Sequence, residues 1–218
     1  MRPKIVVAST NRGKLREYQA LASGGPLNGL VEVLMPGDPA LGGKAMPEVP
    51  EDSLELAVNA AAKARAAAAA YGLVAVADDT GLEVDALGGA PGPRAARYAG
   101  PNATDAQRVA RLLEALRNVP PERRTARFRC AVAVAEPPDS PSPGGARTWV
   151  FEGTCEGRIL HSPRGGEGFG YDPVFWVPGV DKSFAQLTLD EKNQISHRAR
   201  AWRSAEPLLV RLLIGPGG

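Results

Sequence analysis

Four short clusters in this chain carry residue types that do chemistry rather than fill a core. Ser9-Thr10-Asn11-Arg12-Gly13-Lys14 lies between an apolar run and the start of a helical pattern, so hydroxyls, an amide, two cations and backbone N–H groups gather at a βα turn. Free N–H groups and the positive end of a helix dipole suit phosphate oxygens there. The cluster lacks the Gly-x-x-x-x-Gly-Lys-[Ser/Thr] spacing of a P-loop, and a capped turn with a solvated lysine is its plain alternative. Ala77-Asp78-Asp79-Thr80-Gly81-Leu82 sets two adjacent carboxylates after the apolar strand Val74 to Ala77, where α/β proteins open their ligand crevice. Neighbouring strand residues point to opposite sides, so the two carboxylates should have different jobs. One could hold Mg²⁺, which prefers carboxylate oxygens. The other could cap a turn through Thr80-Gly81, the ordinary Asx behaviour. Glu48, Glu51 and Asp52 form a second acidic source, able to complete a metal site or to cap the following helix.

The third cluster, Phe169-Gly170-Tyr171-Asp172, follows Gly165-Gly166-Glu167-Gly168. Glycine lets backbone approach a ligand closely. The aromatics could stack on a base while Asp172 accepts from ring N–H groups, or the segment could be a glycine-rich turn with its aromatics in the core. The fourth is Lys192 with Ser196-His197-Arg198. Lys192 and Ser196 share a face if the helix is continuous, and the Arg198 guanidinium offers a planar fork to a purine carbonyl or a phosphate. The chain has two histidines, His161 and His197, far apart in sequence, which argues against a histidine-ligated transition metal. Ser196-His197 lacks the Gly-x-Ser-x-Gly elbow of an α/β-hydrolase.

These clusters need elements to position them. Lys4 to Ala8 reads as a buried strand and Val31 to Leu34 as another. From Gly13 the apolar residues Leu15, Tyr18 and Leu21 fall about a turn apart, up to Gly24-Gly25. Pro36 to Pro50 reads as loop. Asp52-Ser53 can cap an alanine-rich helix through Ala70, closed by Tyr71-Gly72. Leu87 to Pro93 reads as a tight loop. Thr104 with Gln107, and Thr188 with Glu191, have the spacing of capping boxes, the first opening a helix through Leu116 and the second leading into helical sequence to Leu213. Arg127 to Ala135 and Arg147 to Glu156 alternate as two antiparallel strands joined by the Pro/Ser/Gly-rich stretch Glu136 to Gly145, and Val174 to Val177 reads as a further strand. Gly215 to Gly218 reads as a frayed tail. The strand-helix-strand-helix-strand order predicts an α/β fold with parallel pairing.

The 218 residues, 44% hydrophobic and 23% charged, have an ordinary globular composition and are read as one domain, 1–218, with two lobes around a cleft. A net charge of +2, with dispersed basic residues, gives no case for nucleic acid as a partner. Cys130 and Cys155 have no partners at metal-ligand spacing and read as buried free thiols. No apolar run approaches the ~18 residues of a membrane span, and the chain enters its first strand too early for a signal peptide. A cytoplasmic protein without membrane association is expected.

Together the motifs resemble the inosine triphosphate pyrophosphatase family, whose bacterial members are called dITP/XTP pyrophosphatases. The resemblance rests on Ser9 to Lys14, Asn59-Ala60 with Lys63-Ala64, Ala77 to Leu82, Gly88 to Gly92, Ala96-Arg97-Tyr98, Gly168 to Pro173, and Glu191-Lys192 leading to Ile195-Ser196-His197-Arg198, in family order along nearly the whole chain. It implies a long mixed β-sheet flanked by helices, two lobes around a nucleotide-binding cleft, a homodimer, and Mg²⁺-dependent hydrolysis of ITP, dITP and XTP to the monophosphate and pyrophosphate. By position it implies that Ser9, Thr10, Asn11, Arg12, Gly13 and Lys14 hold phosphates. Asp79 would be metal ligand and proton acceptor, and Thr80 would contact substrate. Phe169, Gly170, Tyr171, Asp172, Lys192, His197 and Arg198 would meet base and phosphates, with Arg198 donating to a purine O6. Relatives carry a metal-binding glutamate where Pro50 stands, so Glu51 is taken as the second metal carboxylate, with Glu48 as the alternative. Relatives also tend to have Glu where Val58 stands, and Pro93-Arg94-Ala95 replaces a segment that usually bears an aromatic and Ser. The rival readings are a related hydrolase of modified pyrimidine triphosphates and a catalytically silent nucleotide-binding module.

Overall fold

The β-branched run near the N-terminus forms β1 (Lys4–Val7) in the computed structural model, which describes residues 2–139 and 146–215. It is followed by α1 (Arg12–Gly24), β2 (Glu32–Leu34), α2 (Leu56–Tyr71), β3 (Val74–Val84) and β4 (Pro91–Gly92). Then come α3 (Asp105–Ala115), β5 (Thr125–Ala135), β6 (Thr148–Ile159), β7 (Phe175–Val177), β8 (Lys182–Ser183), α4 (Leu189–Ile195) and α5 (His197–Leu213). The eight strands join in the order β2-β1-β3-β5-β6-β7-β8, with β4 on β3. β1 is parallel to both β2 and β3, as the element order predicts, while β3–β4, β6–β7 and β7–β8 are antiparallel, so the sheet is mixed, as the resemblance implies. The chain divides into two compact units: Met1–Asp79 with Cys130–Gly153 and Arg198–Gly218, and Thr80–Arg129 with Thr154–His197.

In the first unit the alternation of strand side chains builds two cores. Ile5, Val7, Val76, Val132 and Val134 pack with Tyr18 and Leu21 of α1 and Trp202, Ala205 and Leu209 of α5. Their neighbours Val6, Ala8, Ala75, Ala77, Ala131 and Ala133 pack with Ala60, Ala61, Ala64, Ala67 and Ala68 of α2. Alanine on both surfaces lets α2 lie close to the strands. The second unit has its own core, in which Leu82, Val84, Phe128, Phe175 and Phe184 pack with Val109, Leu112 and Leu116. Arg124, 2% exposed, donates from Nε, Nη1 and Nη2 to the carbonyls of Val119, Leu160 and Leu116. The two cysteines are buried free thiols.

Several boundaries differ from the sequence reading, for local physical reasons. β3 does not end at Ala77 but runs on through Asp78 and Asp79, because it finds new ladder partners where Leu82 and Glu83 pair with Gly92 and Pro91. A Cβ at Gly81 would sit 3.0 Å from the carbonyl carbon of Gly92, tighter than an ordinary contact, so glycine eases that approach. The expected tight loop at 87–93 therefore contains β4. α2 starts at Leu56, after Glu55, whose side chain makes no cap, rather than at Asp52-Ser53, and the 36–50 loop includes a 3₁₀ turn at Pro39–Leu41. Both capping boxes form. The C-terminal helical stretch is broken: Ser196 is extended (φ −68°, ψ 156°) between α4 and α5, so Lys192 and Ser196 are not on one continuous helix. Of the expected loop 136–145 and tail 215–218, residues 140–145 and 216–218 lie outside the described residues.

Gly157 on β6 leaves no room for a methyl group: a Cβ there would lie 2.5 Å from the Phe175 ring and 2.6 Å from the Trp176 carbonyl oxygen. Gly157→Ala should lower unfolding free energy by about 1–3 kcal/mol through overpacking, read as a lower urea midpoint with an unchanged m-value.

Candidate active site

Parallel pairing of β1 with β3 brings the residues that follow β1 beside those that extend β3 beyond Val76. That register puts the Ser9–Lys14 turn next to Asp78-Asp79 within the first unit. Asn11 is the N-cap of α1, and its Oδ1 accepts from the amides of Gly13 (2.8 Å) and Lys14 (3.3 Å). Its own amide donates to Ser9 Oγ. Thus Asn11 shapes the turn through its Oδ1, while Thr10, Asn11 and Arg12 face solvent.

The two adjacent aspartates face opposite sides of the strand and meet different partners. Asp78 shares the side of Val76, toward α1 and α5. Its Oδ2 accepts from Lys14 Nζ at 2.9 Å and from Arg198 Nη2 at 2.9 Å and Nε at 3.3 Å. Arg198 Nη1 also donates to Glu17 of α1. Burial pushes the Asp78 carboxyl up, but Arg198, Lys14 and Lys63 outweigh it and hold its pKa far below the usual carboxylate range. Burial likewise disfavours the Arg198 charge, and Asp78 and Glu17 overcome this to raise its pKa well above the usual value. The expectation that Asp78 caps a Thr80-Gly81 turn is therefore replaced, since no turn forms there and the carboxylate holds two cations instead. Arg198 is 2% exposed and engaged with two carboxylates, Glu17 and Asp78.

Asp79 shares the side of Ala75 and Ala77, toward α2. Asn59 Nδ2 donates to its Oδ2 at 2.9 Å, and Lys63 Nζ lies 3.5 Å from its Oδ1 and 3.0 Å from Glu51 Oε2. Asn59 also accepts from the Ser53 amide and donates to the Ser53 carbonyl, fixing the segment that carries Glu51. Burial raises the Asp79 pKa, and Lys63, Asn59 and Lys14 pull it down without reversing the shift. Burial lowers the Lys63 pKa, but Asp79, Asp78 and Glu51 more than offset this, so it stays a charged ammonium. Two carboxylates thus converge on one cation. That oxygen donor set fits Mg²⁺, which needs one or two protein carboxylates and takes its other ligands from phosphate and water. Among the described residues there is no group of three or more His, Cys, Asp or Glu at metal-holding distance.

The second unit positions the third cluster. Asp172, 3% exposed, accepts from the Phe169 amide (2.9 Å) and from Lys192 Nζ. Asp105 Oδ2 accepts from the Gly170 amide at 2.7 Å. The Lys192 ammonium lies 5.0 Å from the centroid of the half-buried Phe169 ring, a cation–π distance. Tyr171 is 4% exposed and its hydroxyl donates to the Ala95 carbonyl, so it is a core residue here and Phe169 is the more open aromatic. His197, 2% exposed, stacks on Phe128 with ring centroids 4.6 Å apart. Thr80 is half-buried as the first residue of this unit.

Sequence reasoning gave no role to Asn59, Lys63 or Glu17. For the first two a signal exists, since they are polar residues four apart interrupting an alanine-rich helix and so share one face. For Glu17 there is none, because it reads as a surface position on α1.

Removing one member of a buried charge cluster leaves another uncompensated. Asp78→Asn should destabilise the protein by about 3–5 kcal/mol, checked by denaturant titration at neutral pH. Because the folded pKa of Asp78 is depressed, its stabilisation is complete above the unfolded value of about 3.9 and is lost as pH falls toward the folded value. The wild type should therefore lose more stability than Asp78→Asn between neutral pH and pH of about 3.

The chain's similarity to known proteins is near full length. A family model described as the Ham1 family matches residues 5–207. A dITP/XTP pyrophosphatase of Geobacillus kaustophilus is 45% identical over 98% of both chains. One of Methylococcus capsulatus is 46% identical over 100% of both. Among solved structures, a HAM1 protein from Coxiella burnetii matches with TM-score 0.76 and 39% identity over 96% of this chain and 99% of that one. The Ham1 protein of Staphylococcus aureus matches with TM-score 0.74 and 37% identity over 94% and 97%. With its α/β elements, paired aspartates and polar βα turn in family order, the chain belongs to the Ham1 family.

Proposed function

We propose that this protein hydrolyses deaminated purine nucleoside triphosphates (ITP, dITP and XTP) to the monophosphate and pyrophosphate, removing them from the nucleotide pool. The observation that carries the reading is the match, at 45% identity over 98% of both chains, to a relative named for dITP/XTP pyrophosphatase activity. The arrangement around Asp79 gives it chemical content. Residues 1–218 act as one ITPase-like domain in this reading. Support comes from a family match, residues 5–207, that takes in residues of both units.

Asp79 is the proposed proton acceptor, orienting water for attack on the α-phosphorus. A carboxylate whose pKa burial has raised is a better base than an exposed one, and Asn59 and Lys63 fix its two oxygens. Asp79 and Glu51 are the proposed Mg²⁺ ligands. The adjacency of Glu51 to Lys63 supports it as the carboxylate that makes good the glutamate missing at Pro50. When bound, Mg²⁺ supplies positive charge to phosphate oxygens. Lys14 and the exposed residues Thr10, Asn11 and Arg12, with Ser9 and Gly13 shaping the turn, are proposed to hold the phosphates. They act by positioning and by offsetting charge on the departing pyrophosphate. Phe169 is proposed to stack on the base, Lys192 and Arg198 to contact base and phosphates, and Arg198 to donate to O6. Asp172 orients Lys192 and the Phe169 amide, while Gly170, Tyr171 and His197 shape the surroundings and Thr80 contacts substrate. A 6-oxo base satisfies a buried donor that adenine leaves unpaired, which favours ITP over ATP. The reading includes a homodimer, on the resemblance alone, and a cytoplasmic setting, favoured by the two buried free thiols.

Assay of pyrophosphate and orthophosphate separately, from ITP, XTP, dITP, ATP and GTP with and without Mg²⁺, tests the reading. Mg²⁺-dependent pyrophosphate from the first three is expected, with little from ATP or GTP. Orthophosphate as the primary product would sink the α-phosphorus assignment. Asp79→Asn should lower kcat by about 10²–10⁴-fold with an unchanged circular dichroism spectrum, and near-normal turnover in that variant would remove Asp79 as the acceptor.

A further inference from the structure

We propose that Asp105 is a positioning residue for base binding, holding the Gly170 amide so that the Phe169 ring stays where a base can stack on it. The inference deepens the functional reading above and rests on its placement of Phe169 against the base. Phe169 stands between two glycines in the left-handed region, Gly168 at φ +78° and Gly170 at φ +63°. Glycine lets the backbone on either side of the ring turn at little steric cost, so other contacts must fix the direction of the ring. The peptide unit before the Phe169 Cα is held by the Phe169 N–H, which donates to Asp172 Oδ2 at 2.9 Å. The unit after it is held by the Gly170 N–H, which donates to Asp105 Oδ2 at 2.7 Å. Asp172 belongs to the same short segment as the ring, whereas Asp105 is 65 residues from Gly170 in sequence, on α3.

Asp105 is itself held on a firm support. It is the first residue of α3, whose N-cap Thr104 and Gln107 form a reciprocal capping box. Its other oxygen, Oδ1, accepts from Arg108 Nη1, and Arg108 Nη2 donates to the Ala103 carbonyl at 2.6 Å. The planar guanidinium thus ties the carboxylate to the chain just before the helix and leaves Oδ2 for Gly170. Val109 and Leu112 of α3 pack in the core that also holds Tyr171 and Phe175, so the helix and the glycine-rich segment share one support. A hydrogen bond to an ionised acceptor is about twice as strong as a neutral one, and a group held from a helix is placed more precisely than one left to its own loop. Without the Asp105 carboxylate the peptide unit after Phe169 can rotate, and the ring loses its fixed direction. The phosphate-holding turn and Asp79 belong to the first unit, so the groups at the α-phosphorus are kept. Base stacking lost in this way weakens substrate and transition state alike, which raises KM and leaves kcat.

A double-mutant cycle tests the proposal, with kcat and KM for ITP measured in wild type, Asp105→Ala, Phe169→Ala and the double variant. Stacking one base on an aromatic ring is worth about 5–150-fold in binding, and Phe169→Ala should raise KM within that range. Asp105→Ala should raise KM by about 5–50-fold, a part of the same effect, with kcat within about twofold of wild type. In the Phe169→Ala background the Asp105 change should move KM by no more than about twofold, because the ring it positions is gone. A KM rise undiminished in that background would overturn the proposal, since Asp105 would then act by another route. So would an unchanged KM in Asp105→Ala, whether kcat is kept or falls, a fall in kcat alone being what a smaller folded fraction gives. If Asp105→Ala yields no folded sample by circular dichroism, Asp105→Asn carries the same test, since one amide oxygen cannot serve both Gly170 and Arg108. Wild-type protein that releases no pyrophosphate from ITP would overturn the functional reading, and an unchanged KM in Phe169→Ala would remove the ring from the base. Either takes this proposal with it, and each is read without any Asp105 variant.

Discussion

Two carboxylates on consecutive residues of one strand must point to opposite sides of a sheet, and the first unit is organised around that constraint. Asp78 falls on the side of α1 and α5, Asp79 on the side of α2. Each buried charge then demands partners from the helices on its own side. Lys14 and Arg198 answer Asp78, and Asn59 and Lys63 answer Asp79. The same alternation that sorts valine from alanine on β3 sorts a carboxylate held fully ionised from one whose pKa is raised.

The division has a chemical sense. A carboxylate held between two cations, as Asp78 is, is a poor base and a good anchor. One that burial pushes upward, with a lysine at 3.5 Å and an amide at 2.9 Å, is suited to accept a proton or share a cation. The two roles belong to the positions and not to the residue type, since both residues are aspartate and their partners come from different helices.

In the second unit the hydrogen bonds of Asp105 and Asp172 hold a glycine-rich segment in place, leaving Phe169 as its more open aromatic. Glycine is required at 168, where φ is +78° and an added Cβ would collide with the Asp172 carboxylate.

Much of this was legible in the residues. The apolar run of β1, the alanine-rich α2 and the two capping boxes are local signals, written within a turn or two of chain. The nominated clusters at 9–14, 78–79, 169–172 and 192–198 sit where the structure concentrates its buried or turn-forming polar groups. The divergence of Asp78 and Asp79 also follows from strand periodicity alone. What periodicity could not supply was their partners. Lys63 and Asn59 carried a faint mark, polar residues on one face of an apolar helix. Glu17 carried none, and nothing local says that Arg198, 120 residues from Asp78 in sequence, lies against it in space. The ends of β3 and the break at Ser196 were likewise decided by tertiary contacts, a strand continuing for as long as it finds ladder partners and a helix stopping where the chain must turn. Sequence determined which residues could do chemistry and which side of the sheet each aspartate takes. Only the tertiary structure decided which cations reach them, because electrostatic pairing of buried charges depends on distance through space.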